Sequence, residues 1–359
     1  MKKIILTILV LLFFFFHLVS ISFAQDNVFK NFDAEIIDVI SQKNIQSPYG
    51  DNIEQVLKIQ VNSGELKGQI IDFTQTLPAY SPLLVNKNDQ VILNYDTQNK
   101  IFNIADFQRK DPLLFLFVIF LILVFIIAKK KGIMSLLGLV FSFFIIFYFL
   151  LPMINRGYNA ILISIISAFF IAPATFYLAH GFNRKTSIAL IGTFISLIIT
   201  SILASIFIAA TKLTGFASEE AGFLLVQKGN MLNIKSLILT GIIIGVLGIL
   251  DDITIAQTGI VIQLKNTAKN ISSKELYQKS LSIGQDHIAS MVNTLILVYA
   301  GASLPLLLLF INNPSNLNMI INYEIIAEEI VRTLVASIGL ILAVPITTFL
   351  SCFFVKKSQ

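Results

Sequence analysis

A chain of 359 residues that is 55% hydrophobic and 13% charged, with mean hydropathy +0.81, holds several apolar runs of spanning length and reads as an integral membrane protein. The formal net charge of +5 is no nucleic-acid signature, because the lysines cluster in short loops between apolar runs and no basic, aromatic surface tracks a phosphate backbone. The single cysteine, Cys352, excludes an internal disulfide and a cysteine-based metal site.

The chain opens with Lys2 and Lys3, runs apolar from Ile4 to Val19 and ends its first block at Ser22-Phe23-Ala24. A basic start, a short apolar run and small residues before Gln25 make Met1 to Ala24 a secretory signal peptide, with an uncleaved anchor as the alternative. Either way, the residues after Ala24 are delivered outside the cytoplasm. Residues 25–110 are polar and alternate in short stretches. Strands are expected over Glu35–Ile40, Glu54–Val61, Gly68–Thr76, Asp89–Tyr95 and Lys100–Ala105, separated by turn signals such as Ser47-Pro48-Tyr49-Gly50 and Asn62-Ser63-Gly64. Five short strands suggest a small extracytoplasmic all-β barrel of OB or SH3-like type. It carries no catalytic constellation, so its reading is a spacer or a module that binds an envelope partner.

Residues 111–359 read as a transmembrane helical domain of about seven spans. These run approximately Leu113–Ala128, Ile133–Leu151, Ala160–Leu178, Ser187–Ala210, Ser236–Gln257, Gly284–Ile311 and Ile330–Val355. With the β domain outside, the inner loops hold Lys129, Lys130, Lys131, Arg184, Lys185, Lys265, Lys269, Lys274, Lys279, Lys356 and Lys357. The outer loops after the first span hold only Arg156, Lys212, Lys228 and Lys235. The positive-inside rule therefore sets the C-terminus in the cytoplasm of a cell-membrane protein, although Arg109 and Lys110 count mildly the other way.

The costliest stretch to place is Gly241 to Gln257, GIIIGVLGILDDITIAQ, where Asp251 and Asp252 interrupt an apolar helix. A carboxylate near the bilayer centre costs at least roughly 2.5–3.5 kcal/mol, so intramembrane acids usually face a bundle interior or a water-filled path. Gly241, Gly245, Gly248, Asp252 and Gly259 fall on one helical side, predicting a smooth face for close helix approach, within the chain or in a homo-oligomer. Asp251 lies about 100° away, toward Thr254 and Thr258. About 25 Å of helix separates Lys235 from Asp252, which sets Asp252 just inside the cytoplasmic boundary.

The sixth span starts from the same side. Asp286, Ser290 and Asn293 recur at i, i+4 and i+7, with His287 and Thr294 flanking them, as a polar stripe climbing into the membrane. His180, in a cytoplasmic loop, can join this layer. Each residue has a plainer reading as well: the aspartates as waterside residues at a helix end, Asp286 and His287 as an ordinary helix start, and Asn293 as interhelical packing. Glu219 and Glu220 follow Ser218 and read as first-turn acids of a short outer helix, or as ion ligands. Glu328 and Arg332, at i and i+4, read as an ion pair at the mouth of the last span.

The blocks GVLGILDDITIAQ, GQDHIASMVNTLILVYAGASLP, HGFNRKT and ASEEAGFLL resemble the YibE/F family of bacterial multi-pass membrane proteins. The resemblance extends over almost the whole chain, the β domain included. It implies a shared topology and a shared polar site at Asp251, Asp252, Asp286, His287, Ser290, Asn293 and His180, and it names no substrate. Two positions depart from the pattern: Gln285 stands where a basic residue is expected, and Met291 where a threonine is.

Three function classes fit these features. The first is a permease whose carboxylate layer binds a proton or cation while His287 relays or tunes it; Pro305 should kink the long sixth span, and no inverted repeat is visible. The second is an envelope accessory or sensor working through the outer β domain. The third is a Mg²⁺-dependent membrane enzyme acting on a lipid phosphate, with Asp251, Asp252, Asp286 and His287 around the metal. No organic cofactor is expected, and the bilayer is the one certain partner.

Overall fold

The computed structural model describes residues 29–47, 50–99, 101–217, 219–228, 233–311 and 317–356. The signal-peptide reading of Met1 to Ala24 lies outside the described residues. The chain divides into two compact units, Met1–Ile127 and Ala128–Gln359.

The first unit contains an antiparallel sheet of β1 (Phe29–Ser47), β2 (Gly50–Val61), β3 (Ile70–Pro78), β4 (Gln90–Asp96) and β5 (Ile101–Phe107). All five expected strands form. The ladders run β3-β2-β1-β4-β5, and among the described residues none joins β3 to β5, so the sheet is open where a closed barrel was expected. β1 is far longer than its apolar pattern suggested because it pairs along both edges, with β4 from Phe29↔Asp96 to Glu35↔Gln90 and with β2 as far as Ser47↔Gly50. Alternation turns Phe32, Ala34 and Ile36 of β1, Leu57, Ile59 and Val61 of β2, and Val91 and Leu93 of β4 into one core. Each fully buried aliphatic side chain there contributes about 1.5–3 kcal/mol.

One polar side chain is part of that core. Gln55 is 1% exposed; its Nε2 donates to Gln42 Oε1 and to the Val85 carbonyl, both at 2.9 Å, while its Oε1 accepts from Gln75 Nε2 at 2.8 Å. The bond from Val85 N to the same oxygen, at 3.2 Å, fastens the loop between β3 and β4 to the sheet.

The helices begin with α1 (Lys110–Ile145), a π-helical turn over Ile146–Leu150 and α2 (Leu151–Asn155). The backbone leaves the helical region at Lys129, φ 49° and ψ −131°, and so divides the first two expected spans. The π turn precedes Pro152, whose ring blocks the regular hydrogen-bond ladder. Next come α3 (Ala160–His180), α4 (Arg184–Ala210), α5 (Glu219–Lys228), α6 (Ile234–Thr267), α7 (Ser273–Ala302), α8 (Leu304–Ile311), α9 (Leu317–Asn322) and α10 (Glu324–Lys356). Five helical stretches among the described residues are long and apolar enough to cross a membrane: Lys110–Asn155, Ala160–His180, Arg184–Ala210, Ile234–Thr267 and Glu324–Val355. The expected sixth span is split. α7 is too polar to count among the five, and the helix ends at Ser303 and restarts before Pro305, which sits in the first turn of α8.

Helices α4, α6 and α10 pack on one another, α3 lies against α6, and α7 against α10 with a lesser contact to α6. An apolar core that includes Phe176, Leu197, Ile243, Leu250 and Val335 joins these helices, and hydroxyls and small residues are set into it. Thr193 and Thr254 hydrogen-bond at 2.7 Å, Ser164 and Thr240 at 2.8 Å, and Ser351 and Thr258 at 3.3 Å. A Cβ on Gly192 would come within 2.6 Å of Thr347 Oγ1, and Gly339 is pressed as closely on Thr200. Where the partner is lipid rather than water, such close approach and interhelical bonds of about 0.6 kcal/mol each do what apolar burial does in a soluble core.

Candidate functional site

The glycine face expected to pack is the side of α6 left open. Gly241, Gly245, Gly248 and Asp252 are exposed, and a Cβ on any of the three glycines would meet nothing within 4 Å. The packed side is mostly aliphatic, with Thr254, Gln257 and Thr258, all at most 1% exposed, set into it. Close helix approach within the chain therefore occurs at Gly192, Gly339 and Gly284, away from the glycine row of α6.

Asp251 sits at the border of the two sides. It is half-buried, with Asp252 beside it, the Thr175 hydroxyl of α3 as a hydrogen-bonding neighbour, and Oδ1 enclosed without a protein partner. Asp252 is exposed beyond Gly248, one turn further along the same row. His180 stands at the last residue of α3, within electrostatic reach of Asp252, Lys185 and Lys131. The Lys185 side chain lies over Gly259 of α6, its Nζ 2.7 Å from where a Cβ would be. Asp251, Asp252 and His180 thus share one neighbourhood.

The loop that carries His180 is locked by its own side chains. Asn183 Nδ2 donates to the His180 carbonyl at 2.7 Å and to the Gly181 carbonyl at 3.2 Å, and Oδ1 caps α4 by accepting from Thr186 N at 2.9 Å. Tyr177 stacks on Phe182 with ring centroids 4.4 Å apart, and its hydroxyl meets Ser187 Oγ at 3.1 Å. Gly181 adopts φ +78°, which glycine accepts without strain.

The residues of α7 are arranged otherwise. The helix meets α6 and α10 through Ser280 and Gly284: Gln257 Nε2 donates to the Ser280 carbonyl at 2.9 Å and to Thr348 Oγ1 at 2.7 Å. A Cβ on Gly284 would strike Val344 Cγ1 at 2.6 Å and Gln257 Oε1 at 2.8 Å. Asp286 is two residues from Gly284, hence about 200° around the helix, and is exposed, as are Ser290, Asn293 and Thr294. His287 is half-buried and closer to the packed side. No hydrogen bond or ion pair among the described residues links Asp286 or His287 to either aspartate, and no three His, Cys, Asp or Glu side chains converge as metal ligands. His180 is thus within electrostatic reach of the aspartate pair, while Asp286, Ser290 and Asn293 of α7 are exposed.

Glu219 and Glu220 occupy the first turn of α5, both exposed. Arg332 bridges two carboxylates, Glu328 at 2.6 Å and Glu329 at 3.2 Å, with Tyr299 of α7 close by. Sequence reasoning missed Gln257, a single amide without periodic partner, and Glu324. The Glu324 carboxylate accepts from Gly215 N and Thr214 Oγ1, both at 2.8 Å, tying the loop after α4 to the start of α10. The signal for Gln257 was available: an amide in an apolar helix together with Ser280 and Gly284 at i and i+4 of the next.

The sequence model of the YibE/F-like protein family matches residues 116–357. The chain belongs to the YibE/F-like family. The match covers every candidate residue from His180 to Asn293, whereas the β sheet, ending at Phe107, lies outside it, so the resemblance is narrower than the whole-chain likeness expected. No curated protein and no solved structure matches the chain.

Proposed function

We propose that this YibE/F-like protein is a cell-membrane permease of about seven spans in which the open side of α6 lines the path and Asp252, with Asp251 and His180, handles a proton or cation at its inner end. The carrying observation is the placement of the acids: α6 is central to the packing, yet its glycine row and Asp252 remain uncovered. An acidic side chain kept in an apolar helix and left open is the usual mark of a substrate or proton route. Loop charge supports the orientation, with Lys129, Lys130, Lys131, Arg184 and Lys185 at the inner ends and the β unit outside. In that arrangement the sheet follows a signal peptide that is cleaved or kept as an anchor. The test is flux in proteoliposomes under imposed proton and cation gradients. Flux that falls at least tenfold in Asp252→Asn supports the reading; no flux under any gradient contradicts it.

A second reading, an envelope accessory protein, is favoured by apolar side chains left open on the β unit, Ile40 at 55%, Ile101 at 53% and Tyr80 at 89% exposure. Gathered into one patch, such side chains would suit a protein partner. Crosslinking at Tyr80 in intact cells tests it: capture of one defined envelope protein supports it, and capture of none contradicts it.

A further inference from the structure

We propose that two copies of this chain associate through the outward face of α7, with Gln285 of each copy donating to Asp286 of the other and Asn293 meeting its own counterpart. The permease proposed above leaves this face unused, and association is read without any flux.

The contacts between helices fix where α7 runs. α4 meets α10 with Gly192 against Thr347 and Thr200 against Gly339, so those two helices are antiparallel. α4 and α6 are antiparallel as well, since Thr193 bonds Thr254 while Lys185 lies over Gly259. α6 and α10 therefore point the same way, and α7, which leads from the end of one toward the start of the other, has to return along their length. It does so: Leu276 packs with Val261 and Cys352, and Gly284 lies against Gln257 and Val344. α7 thus crosses with the bundle, although its composition keeps it out of the set of apolar spans.

Height follows from the same contacts. Leu250 is midway between Lys235 and Lys265 at the two ends of α6, and it lies seven residues, about 10 Å, from Gln257. Gln257 stands opposite Ser280 and Gly284, so the same step along the antiparallel α7 reaches His287 to Met291. Asp286, Ser290 and Asn293 are therefore within about 10 Å of mid-height. All three are exposed, as is Gln285, and among the described residues none of these four side chains makes a hydrogen bond or an ion pair. A carboxyl group turned to lipid at that depth is costly, so the face is covered.

The first expected span cannot satisfy it, because from Leu113 to Ala128 it has no side chain that forms a hydrogen bond. A second copy can. About a two-fold axis along the membrane normal every residue meets its own counterpart at the same height, so polar stripe meets polar stripe. The stripe is also self-complementary: Gln285 and Asn293 both donate and accept, and an ionised Asp286 accepts.

Spacing makes the same case. Ser282, Asp286, Ala289, Asn293 and Ile296, all exposed, recur in alternating steps of four and three, the seam of a coiled pair. Ser282 and Ala289 keep the seam narrow. Gln285 stands in the row beside it, on the rim of the hole that receives the partner's Asp286, and Asn293 is the kind of seam residue that fixes register.

The test counts subunits of the labelled full-length protein by single-molecule photobleaching in liposomes, over a range of dilution in lipid. Dimers that dissociate on dilution are expected. Asn293→Leu and Gln285→Leu should each weaken them about tenfold, as interhelical hydrogen bonds are lost. Asn293→Gln, which keeps the amide, should restore most of the association, and Ile198→Ala, 59% exposed on α4, should change nothing. In a Cys352→Ala background, Ala289→Cys should form a disulfide between copies and Gly245→Cys should not. Monomers at every dilution, dimers indifferent to both leucine changes, or crosslinking at Gly245→Cys instead of Ala289→Cys overturns the proposal. So does a lowered melting temperature of the detergent-solubilised monomer in both leucine variants, which would give those side chains a role inside one chain. Dimers without flux uphold it and remove the permease reading, and flux from monomers does the reverse.

Discussion

The two sides of α6 differ in bulk and in what holds them. The packed side is mostly aliphatic, with Ile242, Val246, Leu250 and Ile253 in the core, and set among these are Thr240, Thr254, Gln257 and Thr258, each bonded to another element or to its own helix. The open side holds three glycines and a carboxylate. In lipid, apolarity does not distinguish inside from outside, so helices choose partners by hydrogen bonds and close fit. The β unit has an alternating aliphatic core as well, and its buried amides, Gln55 and Gln75, bond to each other and to the loop between β3 and β4.

The largest effect should come from closing a gap on the packed side. Gly339→Val would drive a side chain into Thr200 and is expected to destabilise the bundle by about 3 kcal/mol, the upper end of overpacking costs. Gly245→Val on the open side is expected to change stability by less than about 0.5 kcal/mol, as for surface substitutions. Thermal unfolding in the same detergent compares them; equal losses would erase the distinction between the two sides.

Next comes the pair of buried amides. Gln55→Leu orphans Val85 N and leaves the Gln75 amide only its 3.3 Å bond to the Leu83 carbonyl, and should cost about 2 kcal/mol, each unsatisfied buried group being worth about 1–3. Gln257→Leu removes bonds to Ser280 and Thr348 that both have other partners nearby, and about 1 kcal/mol is expected. Chemical denaturation, read separately on the two units, measures both. A costlier Gln257 change would mean that the membrane seam depends on its amide as strictly as the sheet does.

The smallest effect is electrostatic. The Asp106 carboxyl is held below its ordinary value, first by the hydrogen bond from Arg109 and then by Phe107 N. A depressed carboxylate contributes stability that is present above its unfolded pKa, about 3.9, and lost as pH falls through the lower folded value. The melting temperature of Asp106→Asn should therefore trail the unaltered protein slightly at neutral pH and meet it in acid. A gap that widens on acidification would reverse the sign.

Much of this architecture was legible. The five strands follow from period-two alternation, and the spanning helices from unbroken apolar runs; the lengthened β1 was hidden because pairing, not side-chain pattern, extends it. Asp251 and Asp252 stood out by their desolvation cost. The direction in which each stripe faces was not legible, because periodicity gives a face and only packing gives its neighbour. Hence the glycine row of α6 suggested a contact and is open, while the stripe of Asp286, Ser290 and Asn293 turns away from the Ser280 and Gly284 contact. Lys185 needed the fold to be noticed, since it acquires meaning from Gly259 on another helix.

The central claim is that the open side of α6 is wetted, and thiol accessibility tests it most directly. Cys352, 7% exposed, would first be replaced by alanine, and single cysteines placed at Gly241, Gly245 and Gly248 and, on the packed side, at Val246 and Leu250, 2% and 0% exposed. A membrane-impermeant maleimide reacts with thiols in water and not with those in lipid or a dry core. Labelling at Gly248 and Gly245 with none at Val246 and Leu250 is the expected result. Protection of all three glycine positions would make that side lipid-facing and contradict the claim.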